Sequence, residues 1–492
     1  MTPAHTSHER RWRVTALVVL VVAGVAVAVG LQRTPGPVAA APTPSALVGA
    51  PDAESSAWYC TGQSIAGGVA PGSLVLTNTT PRAVTANVTA VTDSGATGHT
   101  AVAVPAYGVV APSVPALASG SWESETVVTA GGGVAVSQSV SNALGWSQAP
   151  CQSTASSQWY FVSGSTAASN QLYVSLLNPT STPVVVDLSF VTPGGVVHPI
   201  NYQGIVLAPG QVAAENVTGE VQQVSSFSTI VAARTGRMVA SEIQEFVGAA
   251  AGSGGLSLLP GVPAAQPHWS IPQAQEVAGA YSEIDVFNPG DTTESVRVGF
   301  RLPSGALTPL TDKVGPGTTW AIDTSTQTRI PDNETYATVV DASGGPGVVV
   351  ARSISLPNSA TPPPQAGAAV AVDGVSAAAP SGEWVVPPPG TSAAPAVSGA
   401  APEYLALLNT STHTETYDVV APTAAGEHAV ASGELAAGTS AVVSGSPLSD
   451  VGSDPLVVHA SGSMALSEAA SPSAGLGVVS MPGIPLAEAI GV

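Results

Sequence analysis

Lysine occurs once in this chain, at Lys313, and charged residues of all kinds fill only 9% of its 492 positions. A soluble domain ordinarily carries about 25%. The surface must therefore be covered by Ser, Thr, Gly, Ala and Gln, which is unusual for a cytosolic protein. Basic residues are the scarcer sign, 12 against 32 acidic, and four of them (Arg10, Arg11, Arg13, Arg33) flank one N-terminal apolar stretch. From position 34 onward eight basic residues face thirty-one acidic ones, a net of about −23. That field repels nucleic acid and anionic lipid, so neither is expected as a main partner.

Aromatic residues are also few, at 5%. Cores must be filled by Val, Leu, Ile and Ala, and an abundance of Val suits strands better than helices. Catalytic signatures are missing as well. There is no G-x-S-x-G elbow, no P-loop and no dinucleotide fingerprint. The eight histidines are scattered without paired metal-ligand spacing, and His8-Glu9 is not followed by the second histidine that a zincin helix needs. Asp332-Asn333-Glu334 is a local acidic cluster without the spaced oxygen ligands of a calcium loop, and it reads as a solvated turn. No catalytic residue, cofactor or metal site is expected. A pair of carboxylates brought together from distant positions is the one catalytic arrangement the sequence leaves open.

What the chain does have is a cassette repeated four times. Asn78, Asn178, Asn288 and Asn409 each follow a short apolar run (SLVLTN, YVSLLN, EIDVFN, YLALLN), and Gly95, Gly195, Gly305 and Gly426 follow at the same offset of 17. Each cassette opens on a tryptophan (Trp58, Trp159, Trp269, Trp384), passes a second glycine turn, and closes on an apolar strand (VAVSQSV, MVASEI, VVVARSI, MALSEA). Short alternating runs broken by Gly, Pro and Asn are the pattern of antiparallel strands joined by tight turns. About seven strands in ~100 residues is the size of an immunoglobulin-like sandwich. The expected fold is all-β, with tandem immunoglobulin-like β-sandwich repeats at 58–155, 156–265, 266–376 and 377–492, the last the least regular. The asparagines are expected at exposed strand ends as turn formers, and the alternative is a ligand loop repeated four times. The four leading tryptophans are expected in cores or between units. Trp122 and Trp320, in polar surroundings, are the candidates for aromatics that stack on a glycan.

Ahead of the repeats lies a basic tail, 1–13, and then an uncharged run of 18 residues, Val14 to Leu31. As a helix it is about 27 Å long, enough to span a bilayer. Three arginines before it and one after place the N-terminus in the cytoplasm and everything beyond outside. A signal peptide cut near Val38-Ala39-Ala40-Ala41 is the alternative. Residues 34–57 hold five prolines and no aromatic residue, and they read as a semi-extended stalk.

The short basic tail, the single anchor, the Ala/Pro stalk, the bracket WYC...APC and the repeated W...N-P/T...G...PG units together resemble actinobacterial membrane-anchored secreted proteins of unassigned function. The Ala, Val and Gly bias fits a GC-rich genome. That resemblance implies no catalytic residue. The expected role is a non-catalytic scaffold or adaptor at the plasma membrane, facing the cell wall and binding a wall glycan or an envelope protein. The alternative is an accessory subunit or degenerate enzyme of envelope polysaccharide assembly. The only cysteines, Cys60 and Cys151, bracket the first repeat, and in an oxidising compartment they are expected to form an intramolecular disulfide. A metal site, for which two thiols are too few ligands, and an intermolecular bridge are the alternatives.

Overall fold

The computed structural model describes residues 46–113, 117, 119–167, 169–247, 254–275, 281–331, 334–356, 367–371, 375–376, 381–388, 404–470 and 479–487. The expected anchor at 14–31, the tail before it and most of the acidic cluster at 332–334 lie outside these residues. Among the described residues no helix is long and apolar enough to cross a membrane.

The first unit sets the pattern. Its strands are β1 (Ser56–Ser64), β2 (Gly72–Asn78), β3 (Val84–Thr92), β4 (Thr97–Val104), β5 (Val109–Val110), β6 (Trp122–Thr129), β7 (Val134–Asn142) and β8 (Gly145–Pro150). They form two antiparallel sheets in the orders β1-β6-β3-β4 and β5-β2-β7-β8. Trp58, Val88 and Val127 of the first sheet and Leu74, Leu76 and Val136 of the second share one core, so the two sheets make a sandwich. The expectation of an all-β sandwich holds, but the connectivity differs from the immunoglobulin order: β1 and β2 lie in different sheets, whereas the first two immunoglobulin strands share one. Cys60 on β1 and Cys151 just beyond β8 are joined by a disulfide, with Cα atoms 4.8 Å apart.

Unit 2 repeats the plan with β9 (Gln158–Gly164), β10 (Gln171–Leu177), β11 (Val184–Thr192), β12 (Gly195–Val197), β13 (Ile205–Leu207), β14 (Val212–Asn216), β15 (Phe227–Thr235), β16 (Val239–Phe246) and β17 (Gly255–Pro260). Unit 3 follows with β18 (His268–Gln275), β19 (Tyr281–Asn288), β20 (Glu294–Leu302), β21 (Gly305–Ala306), β22 (Leu310–Val314), β23 (Thr318–Asp323), β24 (Thr335–Ser343), β25 (Val349–Leu356), β26 (Gly367–Ala371) and β27 (Val375–Ser376). In both, the fourth strand of the plan is broken into two pieces, β12 with β13 and β21 with β22. Unit 4 contains β28 (Ser381–Val386), β29 (Tyr404–Asn409), β30 (Glu415–Thr423), β31 (Gly426–Leu435), β32 (Ser440–Ser444), β33 (Leu456–Ala470), β34 (Val479–Pro482) and β35 (Ile484–Pro485). Here one long strand, β33, takes the place of the sixth and seventh. Its first half pairs with β28 and β30 and its second half with β29 and β34, so the two sheets merge into one of eight strands.

The units are not strung on free linkers. The last strand of each plan meets the next, β8 with β17, β17 with β26 and β26 with β34, and β34 returns to β8. The first strand of each unit also packs on the following unit, β1 on β10 and β16, β9 on β19 and β25, β18 on β29 and β33. The four units therefore close into a ring. This explains a burial pattern that one sandwich cannot produce. β3 alternates buried and exposed residues, as a half-covered strand should, while Val134 to Val140 of β7 is buried on both faces because a neighbouring unit covers the outer one.

The final closure uses the two ends of the described chain. The Val48 amide donates to Pro485 O at 2.9 Å and the Ala487 amide to Val48 O at 2.9 Å, while Gly133 N–H donates to Gly49 O at 2.8 Å. Val48, Val385, Ile484 and Leu486 all join the core of unit 1. This corrects the stalk expected over 34–57. From residue 46 onward the segment is part of the folded body, because Val48 is an apolar side chain with a slot to fill and its backbone finds two partners there.

Candidate functional site

The repeat asparagines are buried, not exposed. All four are fully inaccessible and satisfy their side chains in the same way. Nδ2 of Asn78, Asn178, Asn288 and Asn409 donates to the carbonyl four residues on (Arg82, Thr182, Thr292, His413) at 2.7–2.8 Å. It donates again to the end of the plan's fourth strand (Val104, Leu207, Val314, Leu435) at 2.9–3.3 Å. Oδ1 accepts from the amide two residues on (Thr80, Thr180, Gly290, Ser411) at 2.8–2.9 Å. The amide group thus ties three chain segments together, and its hydrogen-bonding capacity is spent on backbone and, in units 1 and 2, on the hydroxyls of Thr80 and Thr180. Gly95, Gly195, Gly305 and Gly426 have φ of 82°, 115°, 130° and 119°, the left-handed region that only glycine enters freely. These eight positions build the scaffold.

Trp58, Trp159, Trp269 and Trp384 are core residues, each at most 2% exposed. Trp122 is a correction. It is buried at 8% exposure, with its ring 5.1 Å from that of Tyr173 in unit 2, inside an apolar cluster with Val140, Ile243 and Leu258. The carboxylates beside it, Glu123 and Glu125, face the other side of its strand, so it plugs the contact between units 1 and 2 and has no free face for a sugar. Trp320, on β23, is half-buried against the core of unit 3.

The concave feature lies beside that contact. A cavity of about 490 Å³ opens between the outer face of β3, β4 and β6 in unit 1 and the turns of unit 2. Thr89, Asp93, Thr97 and Thr126 line one wall, and Leu177 and Gln211 the other. Its size lies in the range of small-ligand sites. The repeat explains why it is there. In units 2, 3 and 4 a second glycine turn (Gly210, Gly317, Gly438) faces the third and fourth strands of the preceding unit. A methyl group built on Gly317 would lie 3.9 Å from Val196 Cγ2, and one on Gly438 4.0 Å from Arg301 Nε, but one on Gly210 would meet nothing within 4 Å. The residue that corresponds to Val196 in unit 1 is Ala96, and the one that corresponds to Arg301 is Val91. At the later two contacts a side chain of the preceding unit reaches the glycine turn; at the first none comes as close, and Val91 lines the open space.

Buried carboxylates are the feature that sequence reasoning missed. Four residues past the start of the closing strand stand Gln138, Glu242, Arg352 and Glu468, all buried. Glu242 accepts from Thr229 Oγ1 at 3.2 Å, and burial pushes its carboxyl up to about 8 against that bond. Burial first, then the neighbouring Glu123, holds Glu125 well above the usual carboxylate range, and Gln63 Nε2 donates to it at 3.1 Å. Asp285 is raised to about 7 by burial and then by Glu283, and it accepts from Ser163 Oγ at 2.5 Å across the contact between units 2 and 3. Parity could have found Glu242, which shares the core face of its strand with Met238 and Ala240. None of these carboxylates lines the cavity. Among the described residues no group of three or more His, Cys, Asp and Glu could hold a metal ion.

Comparison with known proteins gives one family match. A family model described as "Family of unknown function (DUF5719)" matches residues 129–446. No curated protein matches the chain. Among solved structures, the chain is similar to Thermotoga maritima 1070 (18% identity, 18% of this chain and 80% of that one, TM-score 0.16). It is also similar to the Anabaena sensory rhodopsin transducer (16% identity, 18% of this chain and 94% of that one, TM-score 0.16).

Proposed function

The chain belongs to this DUF5719 family of unknown function, and from that premise we propose that it is a non-catalytic, membrane-tethered scaffold of the cell envelope that binds an envelope glycan in the cleft between units 1 and 2. The observation that carries the reading is that cleft, open at Gly210 where the equivalent glycines of units 3 and 4 are covered by Val196 and Arg301. Its hydroxyls, its one carboxylate and the Gln211 amide suit a neutral, hydroxyl-rich ligand held by hydrogen bonds rather than by ring stacking. The tether rests on the apolar run 14–31 and its flanking arginines.

The test uses the whole protein in detergent and measures its retention on purified cell-wall glycan. Ser94→Leu, which adds bulk to the cleft lining, should weaken retention about tenfold, while Ser304→Leu, at the same repeat position of unit 3, should leave it unchanged. Equal retention by the two variants would move the site elsewhere. No retention of the unsubstituted protein would end the glycan reading. The tether is checked separately, since protease added to intact protoplasts should digest the repeats and leave the first thirteen residues protected.

A further inference from the structure

Each sandwich has an outer edge at the fourth strand of its plan, and an uncovered strand edge is a template for another strand. Three of the four are blunted. In unit 2 the edge is broken into two three-residue pieces, β12 and β13, separated by a 3-10 turn at Ile200–Tyr202. In unit 3 it is broken between β21 and β22, with Pro309 in the gap and Asp312 and Lys313 on the second piece. In unit 4, β31 is long but carries Glu427 and Glu434, and its pairing with β30 shifts register between Val419 and Val420. Only β4 of unit 1 has none of these devices. It runs eight residues, TGHTAVAV, in unbroken register with β3 from Thr97 to Val104, without proline, Asp, Glu, Lys or Arg. Among the described residues no strand pairs with its other side.

We propose that β4 is a docking edge that takes an extended segment of a partner protein by strand addition, the partner strand being neutral or basic. Main-chain hydrogen bonds along β4 supply the affinity, and side chains alternating along the added strand supply the specificity. Charge decides against a second copy as the occupant, because the chain carries a net charge of −20 and two such bodies repel on approach. A strand with lysine or arginine at its ends gains from the same field. The proposal is independent of the cleft reading, since the positions tested below lie outside the cleft lining.

The probe is a fluorescein-labelled peptide of alternating threonine and valine with a lysine at each end, titrated with the whole protein in detergent at low salt. A saturable rise in anisotropy is expected, weakened about tenfold by Ala101→Lys with Ala103→Lys, edge charges that repel the incoming strand. The same peptide with a central proline should not bind. Hydrogen exchange on the unsubstituted protein provides a readout that needs no variant: peptide should protect amides of β4 and leave those of β31 unchanged. Protection confined to other strands, or binding that survives the lysine pair in a variant with unchanged circular dichroism, would overturn the assignment. Self-association by sedimentation that the lysine pair abolishes, without peptide binding, would give the edge to a second copy and overturn it equally.

Discussion

Between units 1 and 2, the first strand of one meets the second strand of the other through two hydroxyls, Thr61 and Ser175, 2.6 Å apart. Between units 2 and 3, Ser163 stands one position further along, in the place of Gly62 with φ of 70°, and donates to the carboxylate of Asp285, which corresponds to Ser175. The first contact carries the open cleft; at the second, Val196 reaches the facing glycine turn. One repeat plan has thus produced a contact of paired hydroxyls with a cleft beside it and a contact of a hydroxyl with a buried carboxylate where Val196 reaches the turn. The lesson is that the fold tolerates variation in the contacts between units while the buried asparagine and the left-handed glycine stay fixed within each.

The comparison can be broken most severely at the disulfide, which only unit 1 possesses. Replacing Cys60 and Cys151 by serine releases a loop whose ends are 91 residues apart. Chain entropy sets the cost at up to about 4–5 kcal/mol. Denaturant unfolding followed by near-ultraviolet signals should show unit 1 lost first, and coincident unfolding of the whole ring in the variant would contradict this.

A smaller effect distinguishes the two contacts by pH. Asp285 has a folded pKa of about 7 against an ordinary value of 3.8, so the folded state holds the proton more tightly. Its contribution is fully present below about pH 4 and lost as pH rises through 7, on the order of 2–4 kcal/mol. Hydrogen exchange in β9 and β19 should accelerate between pH 5 and 8 beyond the intrinsic pH dependence of amide exchange. Asp285→Asn, which cannot ionise, should flatten that excess; a slope that persists in the variant would assign it to Glu242 or another buried acid.

Two substitutions sharpen the comparison further. Tyr107, with φ of 51°, stands at the offset of 29 from its asparagine where units 3 and 4 carry Gly317 and Gly438. Tyr107→Gly should stabilise unit 1 by up to about 1 kcal/mol, the left-handed strain less the entropy of glycine, and a lowered melting temperature would contradict it. Val196→Ala should open a second cleft beside Gly317. Because Val196 is 49% exposed, the loss should be within about 0.5 kcal/mol, and a crystal structure of the variant would show whether the space stays open.

The sequence made local chemistry legible and distant chemistry obscure. The glycines at offset 17 and the leading tryptophans could be located because turns and core anchors are specified by a few adjacent residues. The burial of the asparagines could not, since the fourth strand, whose carbonyl each side chain reaches, becomes a neighbour only after the sandwich forms. Trp122 was misjudged because polar neighbours signal exposure only for a strand with one wet face, and the second face of β6 near Trp122 meets unit 2. The apolar letters of Val48 and Leu486 carry no local sign of pairing. The cleft was invisible for a different reason, being defined by how units 1 and 2 meet and not by any motif.

The meeting of Val48 with Leu486 makes the order of the four units around the chain a matter of convention rather than of geometry. If a short link joined the two ends and the chain were cut instead between units 2 and 3, near residue 265, a circularly permuted protein should recover the same set of neighbours around the same axis.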